Sequence, residues 1–160
     1  MAVSPTVRKR LEAQGFCNLS DAKLGEVAPW LRWSPAFCTI FMIAGVALES
    51  PVVLWSLAAT AFLGALLPFH PFDLLYNYGA RYMTGTGPLP NQGPQRRFAC
   101  AIATVWLLGT GWAFYIGAHA VGYVLGVPLI LVAALVSITH ICIPSMIYNT
   151  LFSKQRSASA

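Results

Sequence analysis

The sequence predicts an all-α membrane protein: four transmembrane helices as two hairpins, preceded by an amphipathic N-terminal arm. Three observations lead there. Hydrophobic residues make up 57% of the 160, charged residues only 9%, and mean hydropathy is +0.64. A soluble domain carries about 25% charged residues, so a bilayer is the expected solvent. The apolar residues gather into long uncharged runs, and a single long polar stretch, His70 to Phe98, divides them into two pairs. Finally, all ten Lys and Arg residues fall in the arm, in that central stretch or in the tail, and none in the two short turns.

Residues 1–33 form the arm. Ser4-Pro5 reads as N-cap and N1 of a short helix, and Ser20 as a second N-cap with Leu19 and Leu24 at the staple positions. Leu24, Val27 and Leu31 fall on one side, away from Asp21, Lys23 and Glu26. That pattern predicts a helix lying on the membrane surface, with Trp30 and Trp33 in the interfacial aromatic belt. Arg8, Lys9 and Arg10 are not followed by an apolar core segment, so the arm does not read as a signal peptide.

The membrane domain is expected over 34–152, with spans at about 35–48, 51–69, 98–118 and 121–141 and a polar hub over 70–97. Ser34-Pro35 and Ser50-Pro51 supply cap and N1 for the first two spans. The first is short for a core of about 30 Å, which calls for an extra turn from Leu31 to Ser34, with Arg32 snorkelling, or for local thinning; a re-entrant hairpin is the rival reading. Pro128 lies within the fourth and is expected to kink it. The small-residue pairs Ala61/Ala65, Ala113/Gly117 and Gly122/Gly126 predict close helix packing. Residues 153–160 read as a loose polar tail.

With four spans, the arm, hub and tail share one face, and the positive-inside rule puts that face and both termini in the cytoplasm. The location expected is a cell inner membrane. The scattered basic residues form no stripe, so nucleic acid is not an expected partner and the lipid bilayer is.

The candidate chemistry gathers at the hub end. Cys38, Cys100, His70, His140 and Cys142 all fall within about one helical turn of the same interface. Cys38, Cys100 and His140 are weak candidate metal ligands, and a thiol relay is the other use of such a set. Free cysteines at helix starts are also ordinary small buried hydrophobes. Cys142, in His140-Ile-Cys142-Ile-Pro144-Ser145, is the candidate reactive thiol: it reads as the end of a helix, beside water and beside His140. Ser145 stands where a C-x-x-C motif would put a resolving thiol. Arg96 and Arg97 are candidates for a lipid phosphate or an anionic solute, or simply for the anchor of a helix. Cys17, in the arm, is assigned no role.

His70-Pro71-Phe72-Asp73-x-x-Tyr76-Asn77, Pro94-x-Arg96-Arg97-Phe98-Ala99 and Cys142-x-x-x-x-x-Tyr148 resemble a family of small bacterial four-span membrane proteins catalogued only as a domain of unknown function. The resemblance covers roughly residues 30–150. It adds Tyr76 and Asn77 to His70, Arg96 and Arg97 as candidate binding residues, and it implies thioredoxin-like or rhodanese-like partners. Similar proteins often end in C-x-x-C, where this chain has Ser145. No cofactor follows from it. Two functions are expected: a thiol- or sulfur-handling membrane protein (a redox partner or a small permease), or a non-catalytic accessory subunit of a larger membrane complex.

Overall fold

The computed structural model describes residues 4–16 and 19–157, with side chains through Phe152. Cys17 lies outside the described residues. Every regular element among them is helical.

Two short helices build the arm, α1 over Pro5–Ala13 and α2 over Asp21–Val27, and the hydroxyls of Ser4 and Ser20 cap them as predicted. The arm differs from the expectation in where its apolar face goes. Leu11, Phe16, Leu24, Val27 and Leu31 are buried against Tyr76 and Leu89 of the hub. Protein takes up the surface that the sequence assigned to lipid.

A 3-10 turn at Trp30–Arg32 runs into α3, Trp33–Ala47. Together they give an 18-residue apolar segment, which supplies the length that the first span lacked. Helix α3 begins at Trp33 with Arg32 at its cap position, so Ser34 does not cap it. Its hydroxyl is bonded to the Asp73 carboxylate instead. Helix α4, Pro51–Leu66, is capped by Ser50 as expected, but it stops short of Phe69. Leu67 turns extended because a residue preceding proline is pushed out of the helical region. At 16 residues α4 is about 24 Å long.

The hub is folded: α5 at Pro71–Leu75, one π-helical turn at Tyr76–Ala80, and α6 at Arg81–Thr84. Helix α7 covers Pro94–Tyr115 and starts a turn earlier than predicted, with Pro94 pre-set for its first position. Helix α8 covers His119–Thr139 and runs through Pro128. The turn expected between the spans ending at 118 and beginning at 121 lies instead at Ile116–Ala118, where Gly117 takes a φ of +75°. Helix α9, Ile143–Ser157, includes residues 153–157, so the tail expected there is helical. Nothing after Pro144 breaks it, and Lys154, Gln155 and Arg156 are good helix formers.

Helices α3 and α4 pair, α7 and α8 pair, and the hairpins join with α4 along α7 and α3 along α8. The core between them is Met42, Val46, Leu54, Leu57, Leu107, Phe114 and Leu129. Gly126 and Gly122 let the helices close: a Cβ at Gly126 would lie 2.6 Å from Val46, and one at Gly122 would lie 2.5 Å from Phe114. The outside of the ring carries exposed Ile40, Phe41, Val52, Phe62, Val105, Val124 and Leu131. Segments Trp30–Ala47, Pro94–Tyr115 and His119–Thr139 are long and apolar enough to cross a membrane. A fourth crossing arises if α4 and the Pro71–Thr84 segment, bent by 85° to each other, count as one broken span.

At the far end the turns are tied by Glu49, which accepts from Tyr123 at 2.8 Å and pairs with His119 at 2.8 Å. At the near end the arm, hub and α9 meet over the bundle.

Candidate functional site

Beneath that near end is a cavity of about 160 Å³ whose lining includes Cys38, Cys100, Cys142, His70, Arg96, Ser34 and Gln14. It extends toward Leu57, Leu107 and Leu129 in the core.

Cys142 differs in two ways from its sequence reading. Helix α8 ends at His140, which takes the left-handed conformation with a φ of +58°, and α9 starts at Ile143. Cys142 therefore stands immediately before a helix rather than at the end of one, and its carbonyl accepts the Met146 N–H at 3.1 Å. The cysteine thus stands beside the positive end of α9. The second difference is exposure: Cys142 is only 8% exposed, while Cys38 and Cys100 are partly exposed. The Ser145 hydroxyl donates to the Cys142 sulfur at 3.1 Å and is also 3.4 Å from the Gln95 carbonyl. So C-x-x-S is a connected pair at a helix start, and α9 brings it against α7, which carries Cys100.

His70 begins α5 and forms a capping box with Asp73. Its Nδ1 accepts the Phe72 N–H at 3.3 Å, which leaves the ring proton on Nε2, 3.9 Å from the Cys38 sulfur. Asp73 is buried, with the Ser34 hydroxyl on one oxygen and the His70 N–H at 3.3 Å on the other. Gly64 makes room for the imidazole, since a Cβ there would sit 2.7 Å from the ring and 3.4 Å from the Cys100 sulfur.

His140 is at the same depth but does not line the cavity. Its Nε2 accepts from Arg32 Nε at 2.7 Å, and its carbonyl accepts from Gln14 at 2.6 Å. Burial, then the positive charges of Arg32, Arg10 and Arg96, lower its pKa to about 4. Arg32 thus holds a neutral imidazole. Among the described residues no group of three His, Cys, Asp or Glu side chains could hold a metal ion.

The two neighbouring arginines separate. Arg97 donates to the Ala65 carbonyl at 2.8 Å and the Leu66 carbonyl at 2.7 Å, closing the C-terminus of α4. Arg96 points inward, is 8% exposed, and has its guanidinium 5.5 Å from the centre of the Phe16 ring. Among the described residues it has neither an ion pair nor a hydrogen bond. Tyr76 is fully buried between Trp30 and Trp33, and its hydroxyl bonds Thr86. Asn77 accepts the Leu89 N–H at 2.8 Å. Both hold the hub together, and neither reaches the cavity.

What the sequence reading missed is the roof. Gln14 of the arm lines the cavity and Phe16 covers Arg96. The apolar face of α2 signalled burial but not the surface that would receive it.

Compared with known proteins, residues 28–152 match a family described as Domain of unknown function (DUF4395). No curated protein and no solved structure matches the chain.

Proposed function

Since the chain belongs to the DUF4395 family, a domain of unknown function, we propose from its own side chains that it is a membrane-embedded thiol-exchange protein. The observation that carries this reading is Cys142: it sits at the start of α9, bonded by Ser145, in one cavity with Cys38 and Cys100. A helix N-terminus and a hydroxyl donor are what a negative sulfur needs.

The exchange runs in two steps. The Cys142 sulfur attacks one sulfur of a small disulfide, forming a mixed disulfide and expelling the other half as a thiolate. The Cys100 sulfur then attacks the Cys142 sulfur, closing a Cys100–Cys142 disulfide and releasing the second half. The substrate gains two electrons, the protein loses two, and the two cysteine protons end on the released thiols. Cys100 thus supplies the resolving thiol that Ser145 cannot. The Nε2–H of His70 faces Cys38, which makes Cys38 a third station of the same pool.

The bundle spans the membrane as two hairpins, and the hub, arm and α9 lie on the cytoplasmic face of an inner membrane. The distribution of basic residues and the apolar outer surface support this placement. Partners on that face are thioredoxin-like or other thiol carriers able to reduce the Cys100–Cys142 disulfide.

Limited oxidation of the detergent-purified protein with a small aromatic disulfide, followed by peptide mapping, tests the reading. A Cys100–Cys142 linkage is expected, and Cys142→Ser removes it. If Cys142 stays reduced while only Cys38 is modified, the reading fails.

A further inference from the structure

Arg96 has no part in thiol exchange as described, yet it is the most costly side chain in the cavity. The residue is only 8% exposed to water, and a largely buried guanidinium is stable only when its charge and donors are met. Among the described residues it faces the Phe16 ring and no carboxylate within ion-pair distance. The nearest buried acid, Asp73, is engaged by the Ser34 hydroxyl and the His70 N–H. Gln14 gives its amide to the His140 carbonyl. Two further guanidinium groups, Arg10 and Arg32, cluster around the end of α8 on the Thr139 carbonyl and the His140 ring. The interior of this end is therefore positive, with a free planar fork lining the cavity.

We propose that Arg96 makes this cavity the binding site of a small inorganic oxyanion, of the size and charge of sulfate or thiosulfate. The proposal rests on the reading of the cavity as a site, and it does not need the thiols to react. A guanidinium binds two oxygens of such an ion in parallel, which a lysine cannot do. A cavity of about 160 Å³ has room for one ion of this size. Gln14 and Phe16 cover part of the cavity, and Arg96 is largely buried, so the pairing is stronger than on a fully exposed surface. The same ion supplies the charge that Arg96 lacks.

Calorimetric titration of the detergent-purified full chain with sodium sulfate, and separately with sodium thiosulfate, tests this. Sodium chloride at matched ionic strength is the control. Saturable binding of either oxyanion at a stoichiometry near one is expected, with no counterpart in chloride. Arg96→Gln should weaken it by about tenfold or more, and Arg96→Lys by a smaller factor, since charge without the fork is retained. Absence of saturable binding in the unaltered protein overturns the proposal, as does unchanged affinity in either variant. If Arg96→Gln fails to fold, the Lys variant still decides. Saturable oxyanion binding while no Cys100–Cys142 linkage forms in the unaltered protein leaves the anion site standing and removes the thiol reading alone.

Discussion

The hydroxyl of Ser145 lies 3.1 Å from the sulfur of Cys142, one turn into the helix that the cysteine precedes. The pair has the spacing of a dithiol motif with oxygen in the second place. The hydroxyl cannot resolve a mixed disulfide, but it donates a hydrogen bond to the sulfur, and a hydrogen bond to a charged group contributes about 1.5–3 kcal/mol.

Ser145→Ala should therefore slow native-state alkylation of Cys142 by about tenfold, taking the lower end of that range. Peptide mass spectrometry after timed exposure to iodoacetamide measures it, with Cys38 and Cys100 as internal references. Ser145→Cys should restore a resolving thiol and shift the oxidised product away from Cys100–Cys142, to a linkage between Cys142 and the thiol introduced three residues after it.

Acid should destabilise the protein through His140. The folded-state pKa is lowered to about 4 from 6.5, so between those values the unfolded chain binds the proton that the folded one refuses. This contribution is fully present above pH 6.5 and is lost as pH falls toward 4. Thermal unfolding in detergent across that window should show Tm falling with pH. His140→Asn, a residue that tolerates the left-handed backbone and can still accept from Arg32, should flatten the slope.

Helix contact at Gly126 is tight and at Gly109 it is open, since a Cβ at Gly109 would meet nothing within 4 Å. Gly126→Ala should cost about 1–3 kcal/mol through collision with Val46, and Gly109→Ala should be neutral or better. Detergent unfolding midpoints compare the two directly. Loss of a dimer in Gly126→Ala with an unchanged midpoint would assign that ridge to self-association instead.

Reporter fusions after Glu49, Thr84 and His119 should place Thr84 on the cytoplasmic side and the other two across the membrane. A signal on the outer side at Thr84 would reverse the orientation.

Much of the fold is legible in local chemistry. Ser4, Ser20 and Ser50 cap the helices they precede, and the hub interrupts the apolar runs where the two hairpins meet. What is not legible is decided by partners far along the chain. Ser34 looks like a cap until Asp73, 39 residues on, takes its hydroxyl. Cys142 looks like a helix end because His140 enters the left-handed region without the glycine that usually announces it. The convergence of Cys38, Cys100, Cys142 and His70 is foreseeable from depth alone, since each lies near one end of its helix. Arg96 and Arg97 are adjacent and chemically identical, and only the helical turn between them sends one inward and the other to the carbonyls of α4.

The ties between the arm and the last third of the chain govern the order in which the protein is completed. Gln14 meets the His140 carbonyl 126 positions later, Arg10 meets Thr139 129 positions later, and Asn149 returns to Ala13 across 136. During synthesis the arm emerges first and waits, its donors hydrated, until the final helices leave the ribosome. Cys38, Arg96 and Cys100 precede those helices in the chain, so they are made before the arm is tied down over them. A factor that acts on Arg96 before closure has the time needed to translate from there to Asn149, on the order of several seconds at roughly 5–20 residues per second.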